Sequence, residues 1–149
     1  MSDMYAAEGQ TAAGTTLTII EVVSPGTTRR ASIEYLLIGS DATPADVATE
    51  FNVQRGTVSG TGTSVTPRPL DPSAPAAIFT CERGTFSGQT KTASSAMLNI
   101  ALNQRSTFQW YAVPGKGIII PATADNWVGL ESIASGSTPN ICATVHWTE

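Results

Sequence analysis

Charge is scarce in this chain. Asp, Glu, Lys and Arg make up 13 % of its 149 residues, about half the share of an ordinary soluble domain. Histidine occurs once, at His146, and cysteine twice, at Cys81 and Cys142. A zinc site of the usual kind needs four such ligands at recognisable spacings, so that inventory argues against one. No serine sits in a G-x-S-x-G elbow and no D-x-D-x-D-G calcium loop occurs, which removes the commonest hydrolase and calcium-binding readings. The net charge of −4 leaves little prospect of a basic face for nucleic acid. No apolar run approaches the roughly 18 residues of a membrane span. The longest, Tyr35-Leu36-Leu37-Ile38 and Ile118-Ile119-Ile120, have the length of strands. The first residues lack the basic start and apolar segment of a secretory signal. These absences predict a protein that is not an enzyme and holds no metal and no cofactor.

Small polar residues, chiefly Thr and Ser, stand where charge is missing, and Gly 13 with Pro 9 supplies turns. The segments between those turns alternate with period two. In Thr15–Val23, Leu17, Ile19 and Glu21 alternate with Thr18, Ile20 and Val22. The next strand, from Arg30 to Ile38, places Ala31, Ile33, Tyr35 and Leu37 on one face. Between Thr43 and Val58 the positions Val47, Thr49, Phe51 and Val53 alternate, predicting a long strand. Thr43-Pro44 also resembles a helix start, and a short helix over 44–50 is the alternative. Further strands are predicted at Ile78–Arg83, Met97–Gln104, Thr107–Val113, Ile118–Ile120, Trp127–Ile133 and Ile141–Trp147. Residues 1–14 read as a flexible arm, or as one that orders on a neighbouring subunit. Residues 59–77, rich in proline (Pro67, Pro69, Pro72, Pro75), read as a semi-rigid loop crossing between sheets. The expectation is one all-β domain over 15–149, a β-sandwich of jelly-roll topology with about nine or ten strands and little helix.

Candidate chemistry is thin. His146 alternates with core positions and reads as a surface or edge residue. Asp41 and Asp46 could form a carboxylate pair, although loop carboxylates usually cap turns. Gly60-Thr61-Gly62 lacks the rest of a phosphate loop. Trp110 is expected in the core with Phe108, whereas Trp127, beside Asp125-Asn126, is the best candidate for an exposed ring. Cys81 and Cys142 could pair, but reduced, buried thiols fit a chain without a secretory signal better.

Three segments carry a resemblance. They are Val65-Thr66-Pro67-Arg68-Pro69-Leu70-Asp71-Pro72, then Leu102-Asn103-Gln104-Arg105-Ser106 running into Trp110, and Pro114-Gly115 leading to Ile120-Pro121-Ala122-Thr123-Ala124-Asp125-Asn126. Following a strand like Ile33–Ile38 and the Thr43-Pro44-Ala45-Asp46 turn, this order resembles small tailed-phage capsid decoration, or cement, proteins over roughly residues 30–147. The resemblance implies a β-sandwich that binds the major capsid protein on the outside of an icosahedral head. It also implies a trimer, assembled in the host cytoplasm, with neither nucleic acid nor membrane as partner. The proline-rich segment and the N-terminal arm are the expected attachment surface, with Tyr5, Pro67, Arg68, Pro69, Leu70, Asp71, Pro72 and Trp127 as candidate interface residues. A head-fibre or tail adhesin, or a carbohydrate-binding module, is the alternative.

Overall fold

A computed structural model describes residues 3–12, 17–26, 28–41, 43–135 and 139–149. Among them lie thirteen strands: β1 Met4–Ala12, β2 Leu17–Val23, β3 Ala31–Asp41, β4 Ala48–Val58, β5 Thr61–Val65, β6 Arg68–Pro69, β7 Thr80–Ser87, β8 Thr90–Lys91, β9 Leu98–Asn103, β10 Phe108–Tyr111, β11 Ile118–Ile120, β12 Trp127–Ser135 and β13 Asn140–Thr148. Two sheets result. The first runs β10-β3-β13-β1-β6, with β11 also on β3. The second runs β5-β7-β2-β12-β4-β8, with β9 also on β4.

Setting aside β5 to β8 and the short β11 leaves eight strands, β1 to β4, β9, β10, β12 and β13. Numbered one to eight along the chain, they order as 1-8-3-6 in the first sheet and 2-7-4-5 in the second. That is the jelly-roll order, two interleaved Greek keys. Residues 59–97, which contain β5 to β8, are an insertion between its fourth and fifth strands. The expected all-β jelly-roll sandwich is what forms. The strand count exceeds nine or ten because the N-terminus and the insertion pair as strands too.

The core lies between the sheets, where Ile20, Val22, Val53, Val128 and Leu130 face Ile33, Leu36 and Val145. β4 keeps the predicted alternation, with Thr49, Phe51 and Val53 buried, and no helix forms over 44–50. In β3 the alternation breaks. Ala31 and Ile33 point inward as predicted, but Leu36 and Ile38 are buried in place of Tyr35 and Leu37. The cause is a β-bulge. His146 pairs with Tyr35 and Trp147 with Ile33, which leaves Glu34 as an extra residue. One extra residue exchanges the two faces of everything beyond it.

The expected flexible arm is instead β1, hydrogen-bonded between β13 and β6. Its inward residues are Tyr5, Ala7 and Gly9. A Cβ on Gly9 would stand 3.1 Å from the Ile20 Cβ and 3.2 Å from the Arg83 Cβ. The two sheets approach so closely there that small residues are required, and small residues carry no hydrophobic signature. Residues 13–16 fall outside the described residues, as do residues 136–138.

Candidate interaction surfaces

The sequence candidates at 67–72 form a ledge against the edge of the first sheet. Tyr5 pairs with Pro69 and Ala6 with Arg68. The Leu70 amide donates to the Met4 carbonyl at 2.8 Å. Tyr5 is 2 % exposed and its ring packs 6.1 Å from that of Trp147. Its hydroxyl donates to the Pro75 carbonyl at 3.2 Å, and burial raises its pKa. Tyr5 therefore pins the loop from beneath and offers no surface of its own, contrary to its expected place in an interface. Beyond Pro69 the chain turns outward. The Asp71 carboxylate accepts from the Ser73 amide at 2.9 Å and the Ser73 hydroxyl at 2.7 Å, which lowers its pKa. This is an Asx turn. Leu70, 51 % exposed, stands between exposed Arg68 and Asp71. Replacing Tyr5 by Phe removes one pin and should cost about 1 kcal/mol. Faster hydrogen exchange at the Leu70 amide is the check. An unchanged rate would mean the β6 pairing alone holds the ledge.

Trp127 is not part of this ledge. It belongs to the second sheet and is 1 % exposed, so the expected exposed ring is a buried one. Its indole N–H donates to the Val58 carbonyl at 2.9 Å. Around it lies a feature the sequence did not suggest, a polar seam on the outer face of the second sheet. Glu21 is opposite Gly129, Gly129 is opposite Gln54, and Glu131 is opposite Thr18 and Asn52. Segments near Gly60 and Gln89 close over it. Gln89 donates to Glu21 at 2.5 Å and accepts from Thr18 at 2.8 Å, while the Gly62 amide donates to Glu82 at 2.7 Å. Glu131 accepts from Gln54 and forms an ion pair with Lys91. Glu21 and Glu131 are both buried. Desolvation raises the Glu21 pKa to about 7, Glu82 adds to that, and the Gln89 and Gly60 hydrogen bonds oppose it. Burial lowers the Lys91 pKa.

The remaining candidates are structural. Asp46 accepts from the Asn103 side-chain amide at 2.6 Å and Asp41 from that of Gln10 at 2.6 Å, so each ties neighbouring segments. Gly60 and Gly62 fit beneath Gln89 and Phe86, where a Cβ would collide. Cys81 is in the core and Cys142 is exposed, both as free thiols. Only Cys81 is thus the buried thiol expected. Trp110 and Phe108 pack against the core as expected. His146 lies half-buried on the outer face of the first sheet, against Tyr35. Among the described residues no three His, Cys, Asp or Glu side chains converge on a metal position, and no helix is long and apolar enough to cross a membrane.

No family model and no curated protein matches the chain. Among solved structures, that of Desmodium yellow mottle tymovirus is 12 % identical with a TM-score of 0.32, over 100 % of this chain and 89 % of that one. A structure of infectious bursal disease virus, Gt strain, is 9 % identical with a TM-score of 0.21, over 97 % of this chain and 39 % of that one. Scores this low carry no argument, and the jelly-roll assignment rests on strand order.

Proposed function

We propose that this chain is a structural virion protein, a decoration or cement protein bound to the major capsid protein on the outside of a phage head. The observation that carries the reading is the ledge. A loop restricted by Pro67, Pro69 and Pro72, and pinned by Tyr5, presents Leu70 between Arg68 and Asp71. A loop ordered before docking loses less entropy when it docks. The order of the three sequence segments described above supports the same family, and jelly rolls recur in capsid domains, although fold alone does not decide function. The N-terminal strand is built into the sheet, so attachment falls to the ledge and not to an arm. A homotrimer would let three modest contacts act together. Its test is light scattering, and a monomeric mass in solution and on the particle would reject it.

The docking test is co-sedimentation with bare heads. Leu70→Asp should weaken binding at least tenfold, while stability stays within about 0.5 kcal/mol, as usual for a surface change. Moderate salt should leave binding largely intact, because screening acts on exposed charge pairs and not on an apolar anchor. A folded Leu70→Asp protein that binds like its parent would place the attachment surface elsewhere.

A further inference from the structure

The outer face of the first sheet carries three adjacent rings. Tyr35 in β3 lies opposite Tyr111 in β10 and His146 in β13. The Tyr35 and Tyr111 centroids are 4.7 Å apart at 41°, and those of Tyr35 and His146 are 4.8 Å apart at 50°. The bulge at Glu34 builds this platform, because without the extra residue Tyr35 would face the core. Tyr111 is 66 % exposed, which leaves much of its ring open. The rings line a depression of about 850 Å³, walled by Ser32, Glu34, Thr148 and the turn at Pro114-Gly115.

We propose that this depression binds a neutral carbohydrate, with a pyranose ring stacked on Tyr111. An aromatic face suits the C–H face of a sugar. Its hydroxyls, which both donate and accept, suit the wall: the Glu34 carboxylate accepts, and the Ser32 and Thr148 hydroxyls do either. Burial holds His146 below its usual pKa, so near pH 7 the neutral imidazole offers one donor and one acceptor. Other ligand classes fit worse. An apolar peptide would strip water from Glu34 and His146 without replacing their hydrogen bonds. An anionic ligand would meet Glu34, with no cationic side chain among the lining residues. Stacked nucleotides would bring phosphate to that same carboxylate on a chain of net charge −4. This inference does not rest on the capsid reading, since the platform and the Leu70 ledge are different surfaces with separate assays.

The test begins with a glycan array of neutral and sialylated glycans. The best neutral hits are then titrated as methyl glycosides while the ring signals of Tyr111 and His146 are followed by nuclear magnetic resonance. A neutral glycan should bind at millimolar concentration or below. Tyr111→Ala should weaken it at least tenfold with the melting temperature unchanged, Tyr111→Phe should retain most of the affinity, and Glu34→Gln should weaken it less than Tyr111→Ala. Absence of binding to any neutral glycan would overturn the proposal. So would a preference for sialylated glycans, or affinity indifferent to Tyr111→Ala. Should Tyr111→Ala misfold, Tyr111→Thr or Gln109→Ala serves as the second probe of the same rim, Gln109 lying 3.3 Å from the Tyr111 hydroxyl.

Discussion

Replacing Glu21 by Gln should stabilise the protein at pH 8, on the order of 3 kcal/mol, and change little near pH 4. Glu21 is 0 % exposed. Its carboxylate accepts from Gln89 at 2.5 Å, and that bond and the Gly60 backbone favour its charged form without offsetting burial. Desolvation raises its pKa from 4.5 to about 7 in the folded state, whereas in the unfolded chain it titrates normally. Between those two values the folded protein binds more protons than the unfolded one, so stability falls as pH rises. The contribution is complete below about pH 4.5 and lost by about pH 7. Gln is neutral throughout and keeps an oxygen for Gln89. Other groups also titrate: burial lowers the pKa of His146 and so favours the fold at higher pH. The informative quantity is therefore the difference between parent and variant in urea unfolding, measured from pH 4 to pH 8. It should grow across the window, and a difference flat with pH would mean that Glu21 titrates normally. Glu131 stands in contrast on the same face, because it has Lys91 as its ion-pair partner.

The strands were legible where one face is apolar and large. β4 and β13 declare themselves through large apolar residues at alternate positions, and those positions are the buried ones, whereas β2 and β12 are apolar enough to read as strands yet are buried on both faces. β1 was hidden because sheet contact there demands Ala7 and Gly9. β5 and β6 were hidden because edge strands on a solvated face need no apolar residues. Thr61–Val65 is Thr-Gly-Thr-Ser-Val, which reads as loop until β7 is seen to pair with it. The bulge at Glu34 was also invisible, because two equally apolar choices, Tyr35 with Leu37 or Leu36 with Ile38, fit either face. Only the register against β13 decides between them.

The functional surfaces were partly legible for the same reasons. Proline content marked the segment at 67–72, and its restricted conformation follows from the residue type alone. Its support did not, because Tyr5 lies more than sixty positions away. The polar seam had no signature at all. Thr18, Glu21, Gln54, Gln89 and Glu131 read one by one as solvent-facing residues, and it takes the closure of the insertion over β2, β4 and β12 to bury Thr18, Glu21 and Glu131 and half-bury the two glutamines. The ring platform has no signature because it depends on the bulge, whereas Trp127 beside Asp125-Asn126 reads as the exposed ring.

That residue carries the second large effect. Trp127→Ala should lose about 3–5 kcal/mol, the usual cost of deleting a fully buried aromatic side chain. The indole is 1 % exposed. It covers Gly56, where a Cβ would run into the ring, and its N–H donates to the Val58 carbonyl at 2.9 Å. Truncation empties that volume and removes the indole donor from that carbonyl. It also loosens the strand that carries Glu131. Trp127→Phe keeps most of the volume but gives up the N–H, and should cost about 1–3 kcal/mol. The loss for Ala is a large fraction of the 5–15 kcal/mol by which domains are usually stable. Circular dichroism in urea is the suitable probe, because Trp110 and Trp147 would blur a fluorescence signal. An Ala variant within about 1 kcal/mol of the parent would show that the ring is not part of the packed structure. The same pair of variants separates packing from recognition. Trp127 and the Tyr111 platform lie on different sheets, so folded Trp127→Phe should bind a neutral glycan as the parent does. A selective loss of glycan binding in that variant would point to Trp127, and not Tyr111, as the stacking ring.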